Sequence, residues 1–583
     1  MSEKLETTQV VESSYEVVEE KREISSIHKQ DIHTSSDGLV DPTEEDWKTL
    51  PEIADSLPTS AFFVLLIEFC ERFTYYGLTG PFQNYIQNEY TPDFPAKKPG
   101  AMGRGQQTAT ALTTFFQFWC YITPIIGAVV ADQYLGKYKT IVLFAVIYMV
   151  GLIILTCTSI PAAIESGATF GGFIVAIIFL GLGTGGIKAN VSPLIAEQYT
   201  IKKAYVKTLA NGSKAIVTPQ ATYQKIFSMF YWSINVGSLS AIATTTMEKN
   251  IGFWSAYLLP TCMFVPGIIV VLAGRNHYIS APPRGSIFVE TGKLLYYSTK
   301  VNGGLDACKP SLLQVSHPEL AVKATWDDIF VDELKRALRA CIVFCWYPIF
   351  WLCYSQMTNN LISQAGTMLT GNVPNDIMQN IDPLVLIIAI PIMDRLVYPA
   401  FRRMGFQVGP ITRISLGFLL SSFAMAYSAG IQHLIYSTGP GYYDPSSAPN
   451  GQNNVSAAYQ IPAYIFTALS EVFASITGLE YAYKKAPESM KSMVMALFLF
   501  TNCVSSILAF ALVPVAVDPK LEWMYAGIGI ASFICSILIY AIHGKNDKTD
   551  AEDDAIGRTD EQLNEYTKHK ANISEYEAEK GAL

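Results

Sequence analysis

Three charged side chains lie within five consecutive positions of an otherwise apolar and aromatic segment. The segment spans residues 61–87 and reads AFFVLLIEFCERFTYYGLTGPFQNYIQ, with Glu68, Glu71 and Arg72 as its charges. Spacings of three and four residues place these side chains on one face of a helix. A charge at the centre of a bilayer costs about 2.5–3.5 kcal/mol, so we expect these three to be held by partners or to face an aqueous cavity that conducts ions or substrate. The simpler alternative is that Glu68 and Arg72 only neutralise each other.

The composition supports a membrane location for this segment. The 583 residues are 50% hydrophobic and 16% charged, with a mean hydropathy of +0.25. Apolar runs of roughly the 20-residue spanning length recur along the chain. Together with the first segment, they predict about twelve transmembrane helices, the further runs being residues 115–131, 138–158, 171–187, 226–246, 253–274, 339–354, 383–401, 411–431, 459–479, 490–515 and 523–542.

Lysine and arginine are concentrated in alternate loops, which predicts that both termini are cytosolic. The longest internal loop then falls on the cytosolic side and divides the spans into six and six. We therefore expect an all-α integral membrane protein with two six-helix bundles. The predicted parts are a disordered tail (1–60), an N-terminal bundle (61–274), a linker with a helix near its end (275–338), a C-terminal bundle (339–544) and a second disordered tail (545–583).

Two further charges in predicted spans are candidates for binding. Lys188 follows a glycine-rich run that allows close helix packing, and it needs an acidic partner, for which Glu68 and Glu71 are candidates. Glu471 is an acid in a predicted span of the second half, and a buried carboxylate there needs a cationic partner. The sequence has no GxxxxGK[ST] loop, zinc-ligand spacing or GxSxG elbow, so we expect neither an enzyme nor a cofactor other than a coupling proton.

The loop between the second and third spans resembles a known motif. GAVVADQYLGKYKTI, residues 127–141, contains Asp132, Gly136 and Lys137 in a tight turn. This turn is similar to the characteristic loop of the major facilitator superfamily. That resemblance implies two six-helix bundles with the substrate site between them near the midplane of the membrane.

Three more segments narrow the resemblance. They are ERFTYYG (71–77) with Glu68 upstream, GTGGIKANVSPLIAEQY (183–199) and FSMFYWSINVGSLSA (227–241). With them, the chain resembles the proton-dependent oligopeptide transporter family, and most closely its fungal di- and tripeptide transporters. The similarity covers the spans, roughly residues 61–542, and neither tail.

The resemblance implies roles for individual residues. In the family, the residues that match Arg72 and Lys188 hold the peptide carboxylate. Those that match Glu68 and Glu71 take part in proton coupling, and the one that matches Glu471 binds the peptide amino terminus. We expect the same roles here. The remaining candidates are residues that would contact the peptide backbone or line its side-chain pockets, and each of them could instead serve helix packing: Asn235, Tyr76, Tyr121 and Trp351.

The chain also departs from the family pattern. Many relatives have an acid where this sequence has Ser355, some have an arginine at Thr79, and animal members have a histidine at Thr114. We therefore expect the outer gate to close by other contacts and the proton to be carried by carboxylates, with Asp382 as a secondary candidate.

The resulting hypothesis is a plasma-membrane symporter that imports di- and tripeptides with protons by alternating access. We expect it to be a monomer in the lipid bilayer, with no nucleic-acid partner. Two alternatives stay open. The chain could carry nitrate or another small anion, although Glu471 argues against it, or it could be a nutrient receptor that binds without translocating.

Overall fold

The computed structural model describes residues 40–544, apart from 97, 202, 210–211, 280–286, 302–303, 322–323, 325, 372, 398–399, 401–408, 449–450 and 486–490. Helices dominate the described part of the chain, which also contains one three-stranded sheet. Most of the N-terminal tail (1–39) and the C-terminal tail (545–583), for which we predicted disorder, lie outside the described residues.

The N-terminal half contains the helices that precede the long linker. These are α1 (Glu44–Thr49), α2 (Thr59–Thr79), α3 (Phe82–Gln87), α4 (Gly105–Val130), α5 (Lys137–Thr158), α6 (Pro161–Glu165), α7 (Ala168–Glu197), α8 (Pro219–Ser238), α9 (Ser240–Asn250) and α10 (Phe253–Ala273).

The linker and the C-terminal half contain the remaining helices. Those of the linker are α11 (Ile287–Val301), α12 (Pro310–Ser316), α13 (Pro318–Ala321) and α14 (Asp328–Ala340). Those of the C-terminal half are α15 (Tyr347–Ser355), α16 (Asn360–Gly366), α17 (Ile381–Ile392), α18 (Pro410–Ser437), α19 (Ile461–Glu471), α20 (Thr477–Lys485), α21 (Lys491–Leu512) and α22 (Leu521–His543).

Within the described residues, ten helical segments are long and apolar enough to cross a membrane. Two further segments complete the predicted set. Helix α2 is 21 residues long but carries three charges, and the segment 341–366 is divided into short helices by 3₁₀ turns. The interruptions in the second segment explain why hydropathy over an unbroken helix does not identify it.

Successive spans run in opposite directions, so α2 begins and α22 ends at the same end of the molecule. We call this the proximal end and the opposite one the distal end. The N-terminal half has its own apolar core, in which α5 and α7 pack along their lengths. In the C-terminal half, α18 and α22 form the most extensive helix pair.

Hydrogen bonds between the two halves, among the residues that the structure describes, lie at the distal end. Gln83 donates to Ser363 over 2.9 Å, and Thr110 donates to Asn360 over 3.0 Å. Amides and hydroxyls therefore contribute to closing the distal end, and the sequence has no acid at Ser355 to do so. Ser355 itself donates to the carbonyl of Leu352 in its own helix.

A small sheet at the proximal end corrects part of the predicted N-terminal tail. Strand β1 (Glu52–Ile53) pairs in parallel with β3 (Lys214–Val217), which pairs with β2 (Tyr205–Thr208) in antiparallel fashion. Helix α1 precedes this sheet and starts with a capping box between Thr43 and Asp46. Residues 40–58 are thus structured because local caps and a distant hairpin satisfy their backbone groups, which polar composition alone does not reveal.

Candidate functional site

The three charges of α2 form one buried cluster. The Arg72 guanidinium lies 3.1 Å from Oε1 of Glu68 and also forms an ion pair with Oε2 of Glu71. Thr184 of α7 donates to Oε1 of Glu71 over 2.6 Å. All three charged residues are at most 4% exposed. One guanidinium therefore serves both acids, as its planar set of donors allows.

Lys188 lies near this cluster without joining it. Its ammonium is 4.6 Å from the centre of the Tyr121 ring, a cation–π contact. Glu68 and Glu71 interact with it electrostatically, but the described residues form no ion pair with it within 4.0 Å. The acidic partners that we expected for Lys188 are paired with Arg72 instead. Its ammonium is consequently available to another anion.

Glycines of α7 fix the position of Lys188. A Cβ on Gly185 would lie 2.0 Å from Oγ1 of Thr123 on α4, and one on Gly186 would lie 2.1 Å from the Phe144 ring on α5. Both distances are shorter than any tolerable contact, so α7 can pack this closely only without those side chains. This explains the glycine-rich run before Lys188.

The C-terminal half contributes two acids and a tyrosine. Tyr354 of α15 donates to Oδ2 of Asp382 over 3.2 Å, and its hydroxyl lies beside Glu471. Glu471 ends α19, just before a π-helical turn at Val472–Ile476. Oε2 of Glu471 and Oδ1 of Asp382 are buried, and neither accepts a hydrogen bond from a donor in the described part of the chain. This acid pair can bind a cation.

Aromatic side chains connect the two charge sets. Tyr76 interacts electrostatically with Arg72 on one side and with Glu471 and Asp382 on the other. Tyr121 also interacts electrostatically with both Arg72 and Glu471. The candidates of the two halves therefore face one common space.

Tyr231 was missed by the sequence analysis. It interacts with Glu471 and Tyr76 across the same space. Asn235 donates its side-chain amide to the carbonyl of Tyr231 over 2.9 Å. The four-residue spacing between the two on α8 is the signal that could have identified Tyr231.

Trp351 differs from the other aromatic candidates. It is 6% exposed, and its indole N–H donates to Oγ1 of Thr501 over 2.9 Å within the C-terminal half. Its ring packs edge-on against Tyr354, with centroids 5.8 Å apart. The structure thus gives Trp351 a supporting contact with the tyrosine that bonds Asp382.

The predicted turn between the second and third spans lies away from this space, at the proximal end. Asp132 belongs to a π-helical turn, and Gly136 follows it with a φ of 74°. Lys137 forms an ion pair with Glu197 at the end of α7. These residues join α4, α5 and α7 and do not reach the charges described above.

Comparisons with known proteins identify the family of this chain. A family model described as "POT family" matches residues 138–530. The chain belongs to the POT family. It is similar to the probable peptide transporter ptr2 of Schizosaccharomyces pombe, with 49% identity over 90% of this chain and 84% of the relative. It is also similar to the peptide transporter PTR2 of Saccharomyces cerevisiae, with 44% identity over 91% and 87% of the two chains.

Solved POT structures share the fold. The in meso crystal structure of the POT family transporter PepTSo matches with a TM-score of 0.65 and 22% identity, over 85% of this chain and 99% of that chain. A peptide transporter POT in complex with alafosfalin matches with a TM-score of 0.61 and 20% identity, over 84% and 95%. This POT chain is therefore a multi-pass membrane protein with the helical architecture of the major facilitator superfamily.

Proposed function

We propose that this protein is a proton-coupled symporter that imports di- and tripeptides by alternating access. The fungal relatives are named peptide transporters, which favours this substrate class over small anions. The basic residues of the proximal loops support cytosolic termini in the plasma membrane. We further propose that the protein works as a monomer, because each chain brings both halves of the site.

The observation that carries the proposal is that the two halves offer a ligand opposite charges, cations in the N-terminal half and, among the described residues, acids without a cation in the C-terminal half. Arg72 and Lys188 lie in the N-terminal half, whereas Glu471 and Asp382 lie in the C-terminal half. A peptide is a zwitterion with a carboxylate and an ammonium at its two ends. Lys188 and Arg72 would bind the carboxylate, and Glu471 would bind the ammonium. A small inorganic anion has no use for the second pair of charges.

Proton coupling is proposed to act through competition for Arg72. Its guanidinium forms ion pairs with both Glu68 and Glu71, so its charge is shared between the two acids while both are ionised. A proton on either acid would remove one ion pair and leave guanidinium donors for the peptide carboxylate. Release of the proton to the cytosol would restore the ion pair and expel the carboxylate. Proton and peptide would thus favour each other's binding.

The distal contacts support an arrangement that is closed to the outside. The hydrogen bonds that join the halves in the described residues lie at that end, as between Gln83 and Ser363. Alternating access would require these contacts to break while contacts form at the proximal end.

Uptake of a radiolabelled dipeptide into proteoliposomes tests the proposal. We expect accumulation that requires an inward proton gradient and is abolished by a protonophore. Lys188→Gln should abolish it, whereas Glu165→Gln, which changes an exposed acid at the distal end, should not. Accumulation of nitrate without dipeptide uptake would support the anion alternative. Saturable dipeptide binding without accumulation would instead identify a receptor.

A further inference from the structure

Two more buried acids meet at the distal end, outside the site described above. Glu248 of α9 and Asp376 of the 3₁₀ turn Asn375–Asn380 are both 0% exposed. They are neighbours across the interface, because Asn84 bonds both Glu248 and Asn375, the residue before Asp376, and each acid acts on the other electrostatically. One belongs to the N-terminal half and the other to the C-terminal half, so this contact joins the two halves.

The amides around this pair leave three of its four carboxyl oxygens without a hydrogen bond in the described part of the chain. Asn84 of α3 donates to Oε1 of Glu248 over 2.9 Å and forms two reciprocal 2.9 Å bonds with Asn375. Oε2 of Glu248 and both side-chain oxygens of Asp376 are buried without a hydrogen bond from a donor in the described residues. Carboxylates are acceptors only, so two ionised ones in this position would repel each other and lack donors.

The other titratable groups around the pair do not supply the missing donor. Lys249 interacts with Asp376 electrostatically, but its ammonium donates to the carbonyl of Val373 over 3.1 Å. Tyr257 of α10 and Tyr464 of α19 also face the pair electrostatically. The Tyr464 hydroxyl donates to the carbonyl of Met357 over 3.5 Å, and the Tyr257 hydroxyl has no hydrogen-bond partner in the described part of the chain.

We propose that Glu248 and Asp376 share one proton, and that this proton locks the distal ends of the two halves together. A proton between two carboxyl oxygens turns their repulsion into a strong charge-assisted hydrogen bond. When the halves separate, each carboxyl meets water and the proton is released at neutral pH. Distal closure would therefore take up a proton, and a more acidic exterior would favour closure.

Glu248 lies close to the distal surface. Glu248 lines a narrow recess together with Phe94 and Trp254, where the turn before α10 meets the loop after α3. The proton-binding site itself rests on the burial of the two acids, their unpaired oxygens and the bonds of Asn84, whereas its role as a gate also rests on the proposed transport function.

Infrared spectroscopy of the purified full-length protein tests the shared proton without requiring transport. We expect a protonated-carboxyl band that is lost in both Asp376→Asn and Glu248→Gln, and that is unchanged in the control Glu165→Gln. Asp376→Asn keeps the volume and supplies an amide donor to Glu248, so it guards against misfolding of the other variant. An unchanged band in Asp376→Asn would overturn the proposal. So would a band that responds to replacing Na⁺ by a large organic cation at fixed pH, which would indicate a metal cation.

External thiol labelling tests the gate. Thr114 is 2% exposed on α4, one turn below Thr110, whose hydroxyl contacts Asn360 at the distal end. A membrane-impermeant reagent added outside cells should label Thr114→Cys faster as the external pH rises, by up to about tenfold per pH unit for one proton. Adding Asp376→Asn to Thr114→Cys should make the labelling rate depend less on pH. The ratio of the labelling rates of these two proteins at each pH removes the effect of pH on the thiol itself. Equal pH dependence in both would contradict the gate. If the parent protein shows the carboxyl band but no dipeptide uptake, only the proposed transport function is contradicted.

Discussion

The buried charges of the central site are paired differently in the two halves of the protein. In the N-terminal half, Glu68 and Glu71 are balanced by Arg72, with Lys188 close by. In the C-terminal half, Glu471 and Asp382 share only the hydroxyl of Tyr354. No described basic side chain forms an ion pair with either of these acids.

This difference indicates which half depends on the substrate. Buried acids without a cation are costly, so in the proposed mechanism the C-terminal half would gain most when a peptide ammonium or a proton binds. The N-terminal half is already compensated and would exchange one partner for another. The following changes would remove or reverse this contrast, in order of decreasing expected effect.

The largest effect should come from Arg72→Gln. It leaves two buried carboxylates without their cation, which we expect to destabilise the protein by about 3–5 kcal/mol. Thermal unfolding in detergent measures this loss. Lys188→Gln is the control, since Lys188 has no ion pair to lose, and its melting temperature should stay close to that of the parent. Equal melting temperatures for the two variants would contradict the balanced cluster.

The next effect concerns the ammonium of the peptide. Glu471→Gln should weaken dipeptide binding about 10–100-fold, because a charge-assisted hydrogen bond contributes about 1.5–3 kcal/mol. Binding of an analogue without the amino group should hardly change, and competition against a labelled dipeptide measures both. Glu480→Gln is the control, since Glu480 pairs with Arg413 at 3.5 Å near the proximal end. Equal losses for dipeptide and analogue would remove the proposed role of Glu471.

A smaller effect should follow from Tyr354→Phe. It removes the hydroxyl that bonds Asp382 and contacts Glu471, so we expect dipeptide affinity to change by about tenfold or less. The change should disappear when Asp382→Asn is also present, which a double-mutant cycle measures. Tyr427→Phe removes a hydroxyl that donates to the Tyr459 carbonyl elsewhere and should leave affinity unchanged. Additive effects of Tyr354→Phe and Asp382→Asn would show that the hydroxyl does not act through Asp382.

The smallest effect should come from an ion pair outside the membrane. Its loss can be compared with the loss of the buried charges. Asp55 accepts hydrogen bonds from Lys207 at 2.9 Å and from Tyr205 at 2.8 Å. Burial would raise the pKa of Asp55, but these hydrogen bonds outweigh it and lower the pKa. Asp55→Asn should therefore destabilise the attachment of β1 to the sheet by about 1 kcal/mol.

Hydrogen exchange of the backbone amides in residues 205–217 measures that attachment. Because the pKa is lowered in the folded state, the contribution of Asp55 is present above its ordinary pKa and is lost only as the pH falls through the lowered value. The difference between parent and variant should thus be constant from pH 5 to 8. Glu52→Gln, an exposed change in β1, serves as the control. A difference that shrinks within this range would contradict the sign of the shift.

The sequence predicted the first charge cluster because helical spacing alone puts its members on one face. It could not predict which base pairs with Glu68 and Glu71, since that depends on how closely α7 approaches α2. The contact between Glu248 and Asp376 was also missed. Glu248 lies in the last turn of α9 and Asp376 in the 3₁₀ turn before α17, and only the packing of the two halves brings them together.

The same limit applies to the N-terminal tail. Its polar composition favoured disorder, whereas the short segment Glu52–Ile53 finds a partner strand more than 160 residues away. Two residues carry too little pattern to identify a strand.

The glycine contacts of α7 restrict which parts of the protein can move during a transport cycle. A Cβ on Gly127 of α4 would lie 2.6 Å from the Cα of Gly186, so these helices touch along their backbones with no clearance. Lys188 and Tyr121 must then travel as one rigid piece, and the distance between them cannot be adjusted. The cation becomes a fixed reference point, and only the C-terminal acids change their distance from it as the two halves rock.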